Sequence, residues 1–227
     1  MAAADQAYAF VKERILDGRF AGGRLLTEGD VGAEVGVSRT PVREAFLRLE
    51  SERLLELYPK RGAIVVEVSA EEVEHVMETR LLVESFAVAK IVEGDVELDE
   101  DPEASIARQE RFGRYGDWRR FVEEDRRFHR MFVAAAGNPF LLRLHDSLRD
   151  RQTRMNLAAL ARDEDRQRQV LAEHRAIAEA VAARELDAAL ETVKRHLGTT
   201  RELLREGAPD PVGAESGQGR RPDGRPH

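Results

Sequence analysis

GVSRTPVREAF, residues 36–46, carries four local signals that together specify a tight turn feeding a helix. Gly36 supplies a backbone position that tolerates positive φ, as the turn of a helix-turn-helix needs. Ser38 is placed to cap the helix, its hydroxyl accepting from an otherwise orphaned N–H. Pro41 falls in the first turn, where a missing N–H costs nothing. Val42, Ala45, Phe46 and Leu49 then recur three, four and seven residues on and form one buried face. Arg39 and Arg43 lie four apart and project together, away from that face. Two guanidinium forks beside Thr40 at the leading edge of a helix suit guanine edges and phosphates in a major groove. The stretch reads as a DNA recognition helix.

Outward from it, the first 68 residues have a recognisable order. Ala7, Phe10, Val11 and Ile15 give a helix from Gln6 to Leu16, ended by Asp17-Gly18. Gly22-Gly23 turns the chain into a short extended piece at Leu25-Leu26. Thr27 then caps a helix running through Glu34. After the recognition helix, which reaches Ser51, Leu54 to Tyr58 and Ala63 to Val68 are strand-like and flank the turn Pro59-Lys60-Arg61-Gly62. Helix, helix, turn, helix and hairpin is the order of a winged helix, with Lys60, Arg61 and Gly62 at the wing tip, directed at the DNA backbone or minor groove.

Residues 9–68 resemble the N-terminal domain of the GntR family of bacterial transcription regulators. The family run V-S-R-x-P-V-R-E-A-L stands here as VSRTPVREAF, followed by Leu47 to Leu54 and by RGA at 61–63. The resemblance implies DNA contacts by Arg39, Thr40, Arg43 and the Gly62 wing. Three departures stand out: Glu28, Gly29 and Asp30 occupy a place where the family often has a basic residue, Gly32 replaces a usual alanine, and Glu52-Arg53 replaces an acidic-glycine pair.

Bulk properties set the frame. The chain has 227 residues, no Cys and a formal net charge of −7, so disulfides, thiol catalysis and cysteine-held zinc are excluded. Any metal site must use His and carboxylates. The negative balance argues against a generic nucleic-acid coat. Residues 1–68 hold 10 Lys and Arg against 11 Asp and Glu, which predicts modest affinity per monomer and reliance on a homodimer. Charged residues make up 35% of the chain, and no apolar run reaches membrane-spanning length. Without a secretory signal, the expected location is cytoplasmic, with no membrane partner.

Ser69-Ala70-Glu71-Glu72 is a capping box that opens a long helix to Glu93. Turn signals beyond it divide residues 69–206 into six helices, over 69–93, 101–114, 117–136, 139–161, 164–184 and 187–206, with no strand pattern among them. The fold class is therefore mainly α, a winged helix-turn-helix followed by an antiparallel helical bundle. Residues 207–227 contain 9 Gly or Pro in 21 and read as a disordered tail.

Polar residues interrupt the apolar stripes of this bundle at telling places. Asp125 and His129 fall on the stripe of Trp118, Phe121, Val122, Phe128 and Phe132. His174 falls among Val170, Leu171, Ile177, Ala178 and Val181, and His196 beside Leu197 at the rim of the last stripe. Burying four such groups unpaired is costly, whereas one divalent cation held by Asp125, His129, His174 and His196 satisfies all of them. Three imidazoles and a carboxylate suit Zn²⁺, Ni²⁺ or a similar first-row ion, with positions left for water or ligand. His75, on an outer face, and His145, beside Leu141, Leu144 and Leu148, have no such partner in register.

This half is similar to the FCD ligand-binding domain, the effector domain of a large GntR subgroup. The matching runs are EDRRFHRMFVAAAGNP at 124–139, EHRAIAEAV at 173–181 and VKRHL at 193–197. The resemblance implies metal binding by Asp125, His129, His174 and His196. It also implies that Arg80, in the run RLLVES, faces the pocket and salt-bridges a small carboxylate effector; the competing role for Arg80 is an internal pair with Glu84, four residues on. Six helices match the six-helix branch of this domain. The function that follows is a homodimeric repressor on palindromic double-stranded DNA, modulated by that effector. A metal-dependent hydrolase is the alternative from another class, though no HExxH or phosphate loop is present; a third reading has the ion purely structural.

Overall fold

A computed structural model of the chain describes residues 2–160 and 164–207. Helix α1 spans Ala3–Leu16 and buries Ala7, Val11 and Ile15, a stripe of fourth residues. Helix α2, Glu28–Val35, starts at Thr27, whose side chain accepts from the Asp30 N–H. It ends at Gly36, which takes the left-handed conformation (φ 78°) that the turn was expected to need. Helix α3, Arg39–Ser51, follows and buries Val42, Ala45, Phe46 and Leu49.

The wing is part of a three-stranded antiparallel sheet. Strand β1 is Leu25–Leu26, β2 Leu55–Tyr58 and β3 Gly62–Val65, ordered β1-β3-β2. Tyr58 pairs with Gly62 across the hairpin, and Leu26 with Ala63 on the other edge. The Arg61 N–H bonds the Tyr58 carbonyl, and Lys60 takes φ 66° behind Pro59, the pattern of a type II turn. A side chain at Gly62 would place its Cβ 2.2 Å from the Leu26 carbonyl oxygen, so the wing closes onto β1 only with glycine there. These elements share one apolar core, centred on Val11, Phe46, Leu49, Leu55 and Val65.

The second region is a bundle of helices: α4 (Ala70–Glu93), α5 (Pro102–Arg114), α6 (Trp118–Ala135), α7 (Pro139–Ser147), α8 (Arg149–Leu160), α9 (Glu164–Ala182) and α10 (Leu186–Gly207). Helix α4 lies against α10, and α5 and α6 form a second pair with α9 beside α5. Half of the expected capping box forms: the Glu72 N–H bonds the Ser69 hydroxyl at 3.0 Å, while the Glu72 carboxylate turns to Arg151. The core runs through Ile91, Ile106, Phe121, Phe128, Phe132 and Ile177.

The six-helix expectation needs correction, because the segment over 139–161 is two helices, α7 and α8, divided at Leu148; the described bundle has seven. The break lets α7 stay against α4 and α6 while α8 swings to meet α1, α6 and α10, which one straight rod cannot do. Helix α8 thereby touches the N-terminal region. Lys12 reaches Asp150 at 2.7 Å while also holding Glu52, and Arg154 donates to the Val66 carbonyl. The expected tail, apart from Gly207 at the end of α10, lies outside the described residues.

Candidate functional site

Two places concentrate functional side chains. The first is a surface cleft lined by the start of α2, by Arg39 and Arg43 of α3, and by the wing residues Tyr58 to Gly62. Ser38, Arg39, Thr40, Arg43, Lys60 and Arg61 are all exposed. None of the side chains of Arg39, Arg43, Lys60 and Arg61 forms a hydrogen bond or ion pair among the described residues, in a chain whose other cations are mostly paired. Ser38 holds the N-cap position of α3, but its hydroxyl makes no capping bond. The first N–H groups of that helix therefore stay open, an arrangement that favours an anion.

The second place is inside the bundle. Asp125 and His129 project from α6, His174 from α9 and His196 from α10, all buried. The His129 Nε2 lies 3.2 Å from the His174 Nε2 and 3.1 Å from the His196 Nε2. What stands behind each ring fixes its tautomer. His129 Nδ1 is 2.8 Å from Glu84 Oε2, His174 Nδ1 2.9 Å from Gln109 Oε1, and His196 Nδ1 2.7 Å from Glu173 Oε2. Each of those oxygens accepts, so each Nδ1 carries the proton and each Nε2 turns a lone pair inward. The Gln109 orientation is itself set, since its amide nitrogen faces the Phe121 carbonyl and the Asp125 carboxylate.

Three lone pairs converging without a proton between them repel one another unless a cation sits among them. Nitrogens bound about 2.1 Å from one ion lie about 3.0 Å apart at right angles and about 3.4 Å apart at the tetrahedral angle. The observed 3.1 and 3.2 Å fall in that interval, so the residues present fit a first-row divalent ion. Burial, and then the neighbouring His129, hold His174 and His196 well below the ordinary imidazole range, which keeps both available as neutral ligands.

Asp125 stands at the edge of this trio, its Oδ1 3.5 Å from the His174 Nε2, with Gln109 and Asn156 donating to it at 3.4 Å. Glu84 is the residue sequence reasoning undervalued. It accepts from Arg80 Nε at 2.8 Å on one oxygen and from His129 on the other. Burial opposes its charge, but Arg80 and His129 outweigh that and hold it well below the usual carboxylate range. His145 reaches the same carboxylate from α7 at 3.6 Å, too long for a hydrogen bond, and neither of its ring nitrogens has a hydrogen-bond partner among the described residues.

Arg80 forms the internal pair weighed for it and also faces a pocket. Its Nε pairs with Glu84, while its terminal nitrogens make no hydrogen bond among the described residues and the side chain lines a small cleft beside Asp125 and His196. Arg166, Asn156 and Thr200 line the same cavity and were not anticipated. Gln109 was missed too, although Ile106 and Gly113 mark its position as inward.

Comparison with known proteins bears on both places. Residues 75–199 match the family profile described as FCD domain, and residues 3–65 that of bacterial regulatory proteins, gntR family. The gluconate operon transcriptional repressor of Bacillus subtilis strain 168 is 29% identical over 140 residues, which cover 61% of this chain and 57% of that repressor. The HTH-type transcriptional regulator YdhC of the same organism, itself uncharacterized, is 27% identical over 205 residues, 88% of this chain and 90% of its own. Among solved structures, a GntR protein from Rhodococcus sp. RHA1 superposes with a TM-score of 0.74 at 23% identity, covering 92% of this chain and 100% of its own. Escherichia coli McbR/YncC gives 0.68 at 21%, covering 91% and 98%; at these identities the likeness is one of fold.

Proposed function

Since the chain belongs to the GntR family of bacterial regulatory proteins and carries an FCD domain, we propose that it is a transcriptional repressor whose grip on DNA responds to a small carboxylate bound in the bundle. The observation that carries the DNA-binding half is the set of unpaired cations, Arg39 and Arg43 on α3 facing Lys60 and Arg61 on the wing. Cations left without acids on one cleft meet phosphates and base edges, even in a chain of net negative charge. Ser38, Thr40 and Gly62 complete that surface.

Asp125, His129, His174 and His196 would hold a divalent ion, zinc or nickel by ligand type. When bound, the ion supplies a positive centre for an effector oxygen. Arg80, buried and with its terminal nitrogens unspent, takes the carboxylate in a bidentate pair. That unsatisfied guanidinium favours a sensing role over a purely structural ion. The regulator reading is favoured over the hydrolase alternative by the relatives, which are named as regulators.

A homodimer fits the surface. Helices α4 and α7 pack through Val83 and Ala87 against Leu141 and Leu142, yet expose Leu82 (71%) and Phe86 (48%) on one and Phe140 (74%) and Leu144 (42%) on the other. Two copies joined there bury this face and present two α3 helices to a palindrome, one DNA turn apart.

Fluorescence anisotropy with DNA from upstream of its own coding region tests the reading. Arg43→Ala is expected to weaken binding by about 10- to 100-fold, with circular dichroism unchanged. Equal affinity of Arg43→Ala and Arg39→Ala with the parent would remove α3 from the DNA interface.

A further inference from the structure

In the cavity beside Arg80 an unspent guanidinium meets apolar side chains. We propose that the effector is a monocarboxylate with a short, unsubstituted apolar tail, its carboxylate on Arg80 and its tail against Phe121, Val122, Val170, Leu203 and Leu204. This rests on the carboxylate-sensing role above and deepens it by naming the class of acid.

Hydrogen-bond accounting supports that class. Arg166 places one terminal nitrogen on Glu173 (3.2 and 3.3 Å) and the other on the Thr200 hydroxyl at 2.6 Å. The Thr200 hydroxyl in turn donates to the His196 carbonyl at 2.9 Å. Asn156 is turned to Asp125. Arg166 and Thr200 are thus already engaged, and the terminal nitrogens of Arg80 are the guanidinium donors left to meet a ligand. Beyond them Phe121, Val122, Val170, Leu203 and Leu204 form an apolar stretch of wall, with Asp125 and His196 at its edge.

A polyhydroxylated acid would bring hydroxyls against that apolar stretch, where each loses its water without a replacement partner. A dicarboxylate fares no better. Its second charge would need Arg166, which is already neutralised by Glu173, and Glu173 would repel it. A branched aliphatic acid needs no partner beyond the first carboxylate, and its methyl groups gain from the apolar wall.

The test uses the full-length, zinc-loaded protein with three acids, isovalerate, succinate and gluconate, read by thermal shift and by operator anisotropy. Isovalerate is expected to raise the melting temperature and change operator affinity at concentrations about tenfold or more below those needed of the other two. Val170→Asn should erase that preference. Leu203→Ser, at a half-buried position that folding tolerates better, should narrow it in the same direction. Tighter binding of gluconate or succinate than of isovalerate would overturn the apolar-tail assignment and leave a carboxylate sensor standing. Silence from all three acids in both readouts would overturn the assignment together with the sensing role of Arg80. An unchanged preference in both variants would also count against it.

Discussion

The two regions of this molecule bury opposite things. The core of the N-terminal region, from Ala7 to Val65, is apolar throughout, and among the described residues no polar or charged side chain is buried before Arg80. The groups proposed to meet DNA, Arg39, Arg43, Lys60 and Arg61, stand outside on an apolar base. The bundle instead buries Arg80, Glu84, Gln109, Asp125, His129, His174 and His196 near its centre. One region keeps its unpaired cations on the surface; the other is built around an interior that is uncomfortable by itself. The lesson is about where function costs stability: surface cations cost the first region little, whereas converging lone pairs make the second depend on what it binds.

Metal removal should expose this difference most strongly. At zinc concentrations about a thousandfold above the dissociation constant, the ion contributes about 4 kcal/mol, so chelation is expected to lower Tm by about 10 °C in a chain of this size. Faster amide exchange should be confined to α4, α6, α9 and α10 and should spare α1 to α3. An equal rise in both regions would mean that their cores are not energetically separate.

A pair of matched substitutions sharpens the contrast. Glu84→Gln removes the carboxylate shared by Arg80 and His129, and zinc affinity should fall by about 10- to 100-fold. Glu52→Gln makes the same change at a half-exposed acid, 2.7 Å from Lys12, and should cost less than about 1 kcal/mol because solvent screens that pair. Isothermal titration for the first and urea denaturation for the second give the comparison. Zinc affinity unmoved by Glu84→Gln would mean that the tautomer of His129 is set by something else.

Periodicity made most of this legible in the sequence, and its failures have definite causes. The stripes placed α3, α4, α6, α9 and α10, and the polar residues interrupting them proved to meet. The division at Leu148 was hidden because leucine is an ordinary helix former; the break arises from what α7 and α8 pack against. Glu84 looked like a local partner of Arg80, since four-residue spacing says nothing of His129 on another helix. Arg166 and Asn156 were invisible for the same reason. Ser38 had the right identity and position for a side-chain cap, yet its hydroxyl stays free; identity alone does not commit a hydroxyl that faces solvent.

The smallest expected effect lies in the first region and asks how tightly it is built. Gly32 sits inside α2, where glycine costs about 1 kcal/mol relative to alanine, and alanine is usual there in the wider family. Here a Cβ at this position would lie 2.8 Å from the Val37 carbonyl oxygen, a backbone atom in the turn that leads into Ser38 and Arg39. The backbone has no rotamer with which to step aside, so relief requires α3 to move away from α2. Gly32→Ala should therefore lose its propensity gain and be destabilised by about 1 kcal/mol net, with a few-fold weaker grip on DNA because Arg39 and Arg43 move together with α3. A urea melt in which Gly32→Ala came out more stable than the parent would show that the turn between α2 and α3 has slack, and that the apolar N-terminal core positions its surface less strictly than the buried cluster positions its histidines.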